Sequence, residues 1–64
     1  MKVIIALTGG VVNSVHEDNY ENRQQLGVDW ADKWNSPHDV LNNLEHFGHF
    51  ESGDDELVIV DVIR

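Results

Sequence analysis

The sequence predicts a small α+β domain of order β-β-(β)-α-β. A three- or four-stranded, mainly antiparallel sheet is expected, with one helix, about residues 37–47, packed on one face. Three observations carry that prediction. Residues 3–8 and 56–63 are short aliphatic runs, apolar on both faces, as in strands from the interior of a sheet. Gly9-Gly10 separates two apolar runs and marks a hairpin. Residues 36–48 carry signals for both ends of a helix.

Taken in order, the first element spans 3–8. Val3, Ile4, Ile5, Ala6 and Leu7 leave no polar face, and Thr8-Gly9-Gly10 stops the run. Val11, Val12 and Val15 continue strand character to about His16, so 3–8 and 11–16 are expected to pair. A phosphate-binding loop at Thr8-Gly9-Gly10 is the competing reading. It lacks the lysine and spacing of a P-loop and the third glycine of a dinucleotide fingerprint. Gly9-Gly10-Val11-Val12-Asn13-Ser14-Val15, after a strand and before the acidic Glu17-Asp18, resembles the opening of small uncharacterised bacterial and phage proteins. That resemblance covers about the first quarter of the chain and implies a hairpin, with no activity attached.

Residues 16–25 are polar apart from Tyr20. Without an apolar stripe they are expected to form a mobile loop or a frayed helix. In 26–34, Leu26, Val28 and Trp30 alternate as in a strand, whereas Trp30 and Trp34 stand four apart as on a helix. A short strand over 26–31 is the expectation. Ser36 can then cap a helix, Pro37 takes the first helical position, and Asp39 completes a capping box. Val40, Leu41, Leu44 and Phe47 form its apolar arc, and Gly48 supplies the left-handed exit. His49-Phe50-Glu51 leads into the turn cluster Ser52-Gly53-Asp54-Asp55, and 56–63 follows as a central strand beside 3–8. One helix cannot cover both faces of such a sheet. The far face is expected to meet the tryptophans, a second copy or a partner.

Twelve acidic residues against four basic ones leave a formal net charge of −8. Lys2, Arg23, Lys33 and Arg64 are scattered, which argues against direct binding to nucleic acid and against an anionic membrane. The long-range attraction is toward basic surfaces, although acidity also serves plain solubility. Cysteine is absent, so neither disulfides nor thiol chemistry is available. The apolar run after Lys2 breaks at Thr8, short of a secretory signal, and no run approaches the ~20 residues of a membrane span. A cytoplasmic location is expected. Sixty-four residues make a single domain that buries only ~60% of its unfolded surface, and a homodimer is one common route to a larger core.

No catalytic motif stands out. Ser14, Ser36 and Ser52 lie in turn or cap contexts without a Gly-x-Ser-x-Gly elbow, and so short a chain has little room for a substrate pocket of ~300 Å³. The chain reads as a non-enzyme without a cofactor. His46 and His49, with Glu45 and Glu51 nearby and His38 two turns earlier, are the best metal candidates. Gly48 interrupts them, and solvent-facing histidines at a helix end explain the same pattern.

The leading reading is an acidic surface that occupies a basic, nucleic-acid-binding face of a partner protein. Its candidate contacts are Glu17, Asp18, Tyr20, Glu21, Asp29, Trp30, Asp32, Trp34, Asp39 and Glu45. The two tryptophans could instead complete the core, and one buried with one exposed is expected. In size and charge the chain is similar in class to phage-encoded acidic inhibitors, anti-CRISPR proteins among them. That likeness implies the blocking of a bacterial nuclease or defence system. A histidine-based metal module and a self-associating structural subunit are the alternatives.

Overall fold

The computed structural model describes residues 1–62. Its elements run β1 (Lys2–Thr8), β2 (Val11–Glu17), α1 (Tyr20–Trp30), α2 (Pro37–Phe47), β3 (His49–Ser52) and β4 (Asp55–Asp61). The strands form one antiparallel sheet in the order β2-β1-β4-β3. The two strands that are apolar on both faces thus take the two central places. Ile4 pairs with Ile59 and Ala6 with Leu57. The hairpin across Gly9-Gly10 forms as its glycines suggest, and a register shift after Ala6 leaves Asn13 as the extra residue on β2. The expected end of the last strand at residue 63 lies outside the described residues.

The marked ends of α2 are both used. Ser36 Oγ accepts from the Asp39 amide at 3.2 Å, and the Asp39 carboxylate accepts from the Ser36 amide at 3.0 Å. Gly48 adopts φ 72° and its amide returns to the Leu44 carbonyl. Val40 and Leu44 are buried, but Phe47 is 70% exposed. The apolar arc is therefore narrower than its spacing implies. The reversal at Gly48 swings the chain back into β3, and Phe50, buried opposite Leu57, closes that end of the core.

Three expectations are corrected. There are two helices rather than one among the described residues: α1 takes in most of 16–25, expected as a mobile loop or a frayed helix, and is a regular helix from Tyr20. The strand expected over 26–31 is the second half of the same helix, ending at Trp30. His49-Phe50-Glu51 does lead into the turn at Gly53-Asp54, but it does so as the edge strand β3, which was not expected.

The helix α1 is held by local polar devices in place of an apolar stripe. Asn19 Oδ1 accepts from the Asn22 amide at 2.8 Å as the N-cap. Arg23 grips the Asp18 carboxylate through two bonds of 2.5 and 2.9 Å. Leu26 and Trp30, one turn apart, face the core, while Val28 faces water. The alternation that imitated a strand is the near and far side of a helix.

Gly27 decides how closely α1 and α2 approach. A Cβ there would stand 3.2 Å from the Pro37 carbonyl oxygen and 3.4 Å from Leu41 Cγ. Gly27→Val is expected to prise the helices apart and cost about 2 kcal/mol, read as a lower urea midpoint. Gly27→Ala should cost less, because the gain in helix propensity of ~1 kcal/mol offsets part of the crowding.

Among the described residues seven side chains are buried, and all lie on the helix side: Ile4, Ala6, Leu26, Val40, Leu44, Phe50 and Leu57, with Trp30 and Ile59 packed around them. The opposite side of the sheet carries Val3, Ile5 and Leu7 of β1, Val12 and Val15 of β2, and Val58 and Val60 of β4, set side by side by the register. No described element lies across that side. Neither tryptophan covers it, since Trp30 belongs to the helix-side core and Trp34 is 78% exposed.

Candidate interaction surface

The ten candidate residues separate into three groups. Asp18, Asp32 and Asp39 are committed to the fold. Asp32 organises the connection between the helices: its carboxylate accepts from the amides of Trp34 and Asn35 at 2.8 and 2.7 Å and from Ser52 Oγ at 2.8 Å. Asp39 closes the α2 cap. The Asp18 side chain is only 7% exposed beneath Arg23. Trp30 is half-buried against the core, its indole N–H without a partner among the described residues.

A second group is dispersed. Glu17 sits at a corner of the open sheet face, opposite Val3. Glu45 is exposed on α2 on the side of Arg23, with which it lines a cleft. Trp34 stands out from the inter-helix loop with the Lys33 ammonium 4.9 Å above its ring.

The third group comes together. Tyr20, Glu21 and Asp29 share the solvent side of α1, whose helical spacing fixes their order. Tyr20, Glu21, Gln24, Gln25 and Val28 line an open depression of about 350 Å³ there. Gln25 donates to Asp29 at 3.1 Å one turn on. Gln24, Gln25 and Val28 were not among the sequence candidates. Their signal was the spacing 20, 24, 28 and 21, 25, 29, which is legible once the segment is known to be helical.

Three carboxyls are held below the usual carboxylate range. Asp18 owes this first to the hydrogen bonds from Arg23. Asp32 owes it to Ser52 and then to the amides of Trp34 and Asn35, and Asp39 to the Ser36 amide. A depressed folded pKa means that the unfolded chain binds the proton more readily. The stability these groups contribute is present above the ordinary value of 3.8 and is lost as the pH falls through their depressed values. Asp18→Asn is therefore expected to cost about 1 kcal/mol near neutral pH, after allowance for the half-open Arg23 side of the pair. Urea titrations at descending pH should show that gap closing in acid.

The remaining carboxylates are open to water. Among the described residues the salt bridges are Asp18 with Arg23 and Asp61 with the chain's amino terminus. Glu17, Glu21, Glu45, Glu51, Asp54 and Glu56 make no side-chain hydrogen bond there. Lys2, Arg23 and Lys33 form no basic patch: Arg23 is neutralised by Asp18 and Lys33 lies over Trp34. Nor do the histidines converge. Gly48 turns the chain between His46 in α2 and His49 in β3, and no group of three potential ligands gathers among the described residues. No helix among them is long and apolar enough to cross a membrane. Comparison with family models, curated proteins and solved structures finds no match for this chain.

Proposed function

We propose that the chain is a non-enzymatic, acidic interaction protein of the cytoplasm that occupies a basic surface of a partner protein, one that otherwise holds nucleic acid. The solvent side of α1 supports this reading most directly. Glu21 and Asp29 stand two turns apart, ~12 Å by helical rise, with the exposed Val28 between them and the exposed Tyr20 next to Glu21 at the start of the helix. Carboxylates beside an aromatic on one helix suit the Lys- and Arg-rich clefts that bind phosphates. With a net charge of −8 the chain would be steered toward such a cleft and repelled by the nucleic acid itself. The same features fit the class of phage-encoded inhibitors of bacterial nucleases or defence systems that it resembles in size and charge.

The test is capture from a bacterial lysate at low salt on the immobilised chain, followed by measurement of the captured protein's nucleic-acid binding. Excess duplex DNA should displace the captured protein, and the free chain should compete for its nucleic-acid site. Glu21→Lys with Asp29→Lys is expected to weaken capture by about 10-fold or more. Absence of any captured nucleic-acid-binding protein at low salt overturns the reading.

A further inference from the structure

The open side of the sheet is the largest feature that the acidic surface leaves unexplained. At its centre Ile5 lies between Val15 and Val58 by register, with Val3 and Val60 on one side of that row and Leu7 and Val12 on the other. The charged groups lie at the margins. Glu17 occupies one corner beside Val3, and Glu56 and Glu51 lie at the opposite end, paired with each other and with Leu7. The middle of the face is aliphatic across β2, β1 and β4, and His49 of β3 continues the central row beside Val58.

We infer that this face closes on the same face of a second copy, giving a dimer of layer order helix-sheet-sheet-helix. The size of the face supports a copy as the occupant. With strands ~4.8 Å apart and ~3.3 Å per residue, all four strands together, the charged margins included, cover roughly 400 Å² of footprint. Two such faces, enlarged by side-chain relief, approach the ~1,000 Å² at which specific interfaces begin. Its shape fits as well, since a second twisted sheet packs ~10 Å away with the two inner rows of side chains interleaved. The domain would also gain from the contact, because seven buried side chains among the described residues are a small core for a chain without cysteine. A two-fold axis through the centre, between Ile5 and Val58, leaves Glu17, Glu51 and Glu56 at the rim in water.

This contact does not depend on the function proposed above, and salt separates the two. Two copies of net charge −8 repel each other, and salt screens that repulsion over ~8–10 Å. Self-association through an aliphatic face therefore tightens as salt rises, whereas capture of a basic partner weakens.

Sedimentation velocity on the full chain, from micromolar to near-millimolar concentration at low and high salt, is the experiment. The expected result is a concentration-dependent dimer, more populated at high salt. Val58→Asp and Val15→Asp should each weaken association at least ~100-fold, because a carboxylate would be enclosed without a partner. Val15 is 57% exposed on an edge strand, so Val15→Asp keeps the monomer's circular dichroism and tests the face independently of the central strand. A wild-type chain that stays monomeric at every concentration and salt overturns the inference. A dimer indifferent to Val15→Asp also overturns it, since the copies then meet elsewhere. An amphipathic partner seated on the face of a monomeric chain has the same consequence.

Discussion

Leu57→Asp is expected to leave no folded protein at any concentration, while Val58→Asp, one residue along the same strand, keeps the fold. Leu57 is 0% exposed, opposite Ala6 on one side and Phe50 on the other. A carboxylate there has no described cation or donor to meet and no route to water. Losing the leucine costs ~2–5 kcal/mol as a cavity, and the unpaired charge adds several more. A chain this small has a total stability of only ~5 kcal/mol to set against that. Val58 points to the other side of the sheet, between Ile5 and His49, where solvent reaches the carboxylate in a free monomer. Ile59 returns to the helix side but gives a milder case. It is only partly buried at the edge of the core, beside an open cleft lined by Lys2, Arg23, Glu45 and Asp61, so an aspartate there keeps a route to water. Far-UV circular dichroism with urea titration separates the outcomes. A folded Leu57→Asp monomer would show that the core lies elsewhere.

The parts of the fold that were legible in the sequence are those in which each local signal agrees with the packing. Ser36, Pro37, Asp39 and Gly48 each act on the α2 backbone directly, so their meaning survives without knowledge of the neighbours. The strands around Ile4 and Leu57 were legible as central because both faces are apolar. That composition also announced an uncovered face before any topology was known. The helix α1 was hidden because its determinants are not hydrophobic. The Asn19 cap and the Asp18–Arg23 pair look like loop residues in a polar stretch. Gly27 lowers helix propensity in isolation, and its value appears only with the Pro37 carbonyl at close range. With α1 unread, the face joining Tyr20, Glu21, Val28 and Asp29 could not be assembled. Those acids stood in the sequence on the same footing as Asp32 and Asp39, which the fold consumes.

Leu44→Ala and Phe47→Ala test the boundary of the core on a single helix. Both lie on the arc that helical spacing selects, yet Leu44 is buried beneath α2 and Phe47 projects into water. Leu44→Ala removes a side chain packed against the core cluster and is expected to cost about 3 kcal/mol. That loss takes up most of the stability available to a domain of this size. Phe47→Ala gives up little more than an edge contact with His46, whose ring centroid is 6.5 Å away, and should stay within about 0.5 kcal/mol of the wild type. Urea midpoints measured side by side decide the matter, and equal losses would place Phe47 in the core after all. The Leu44→Ala result also bears on the open face. If two copies close over it, association stabilises only the folded state, so the melting temperature of Leu44→Ala must climb with protein concentration. Adding Val15→Asp should abolish that climb while leaving the cost of the cavity unchanged, because the two sites lie on opposite sides of the sheet and share no partner.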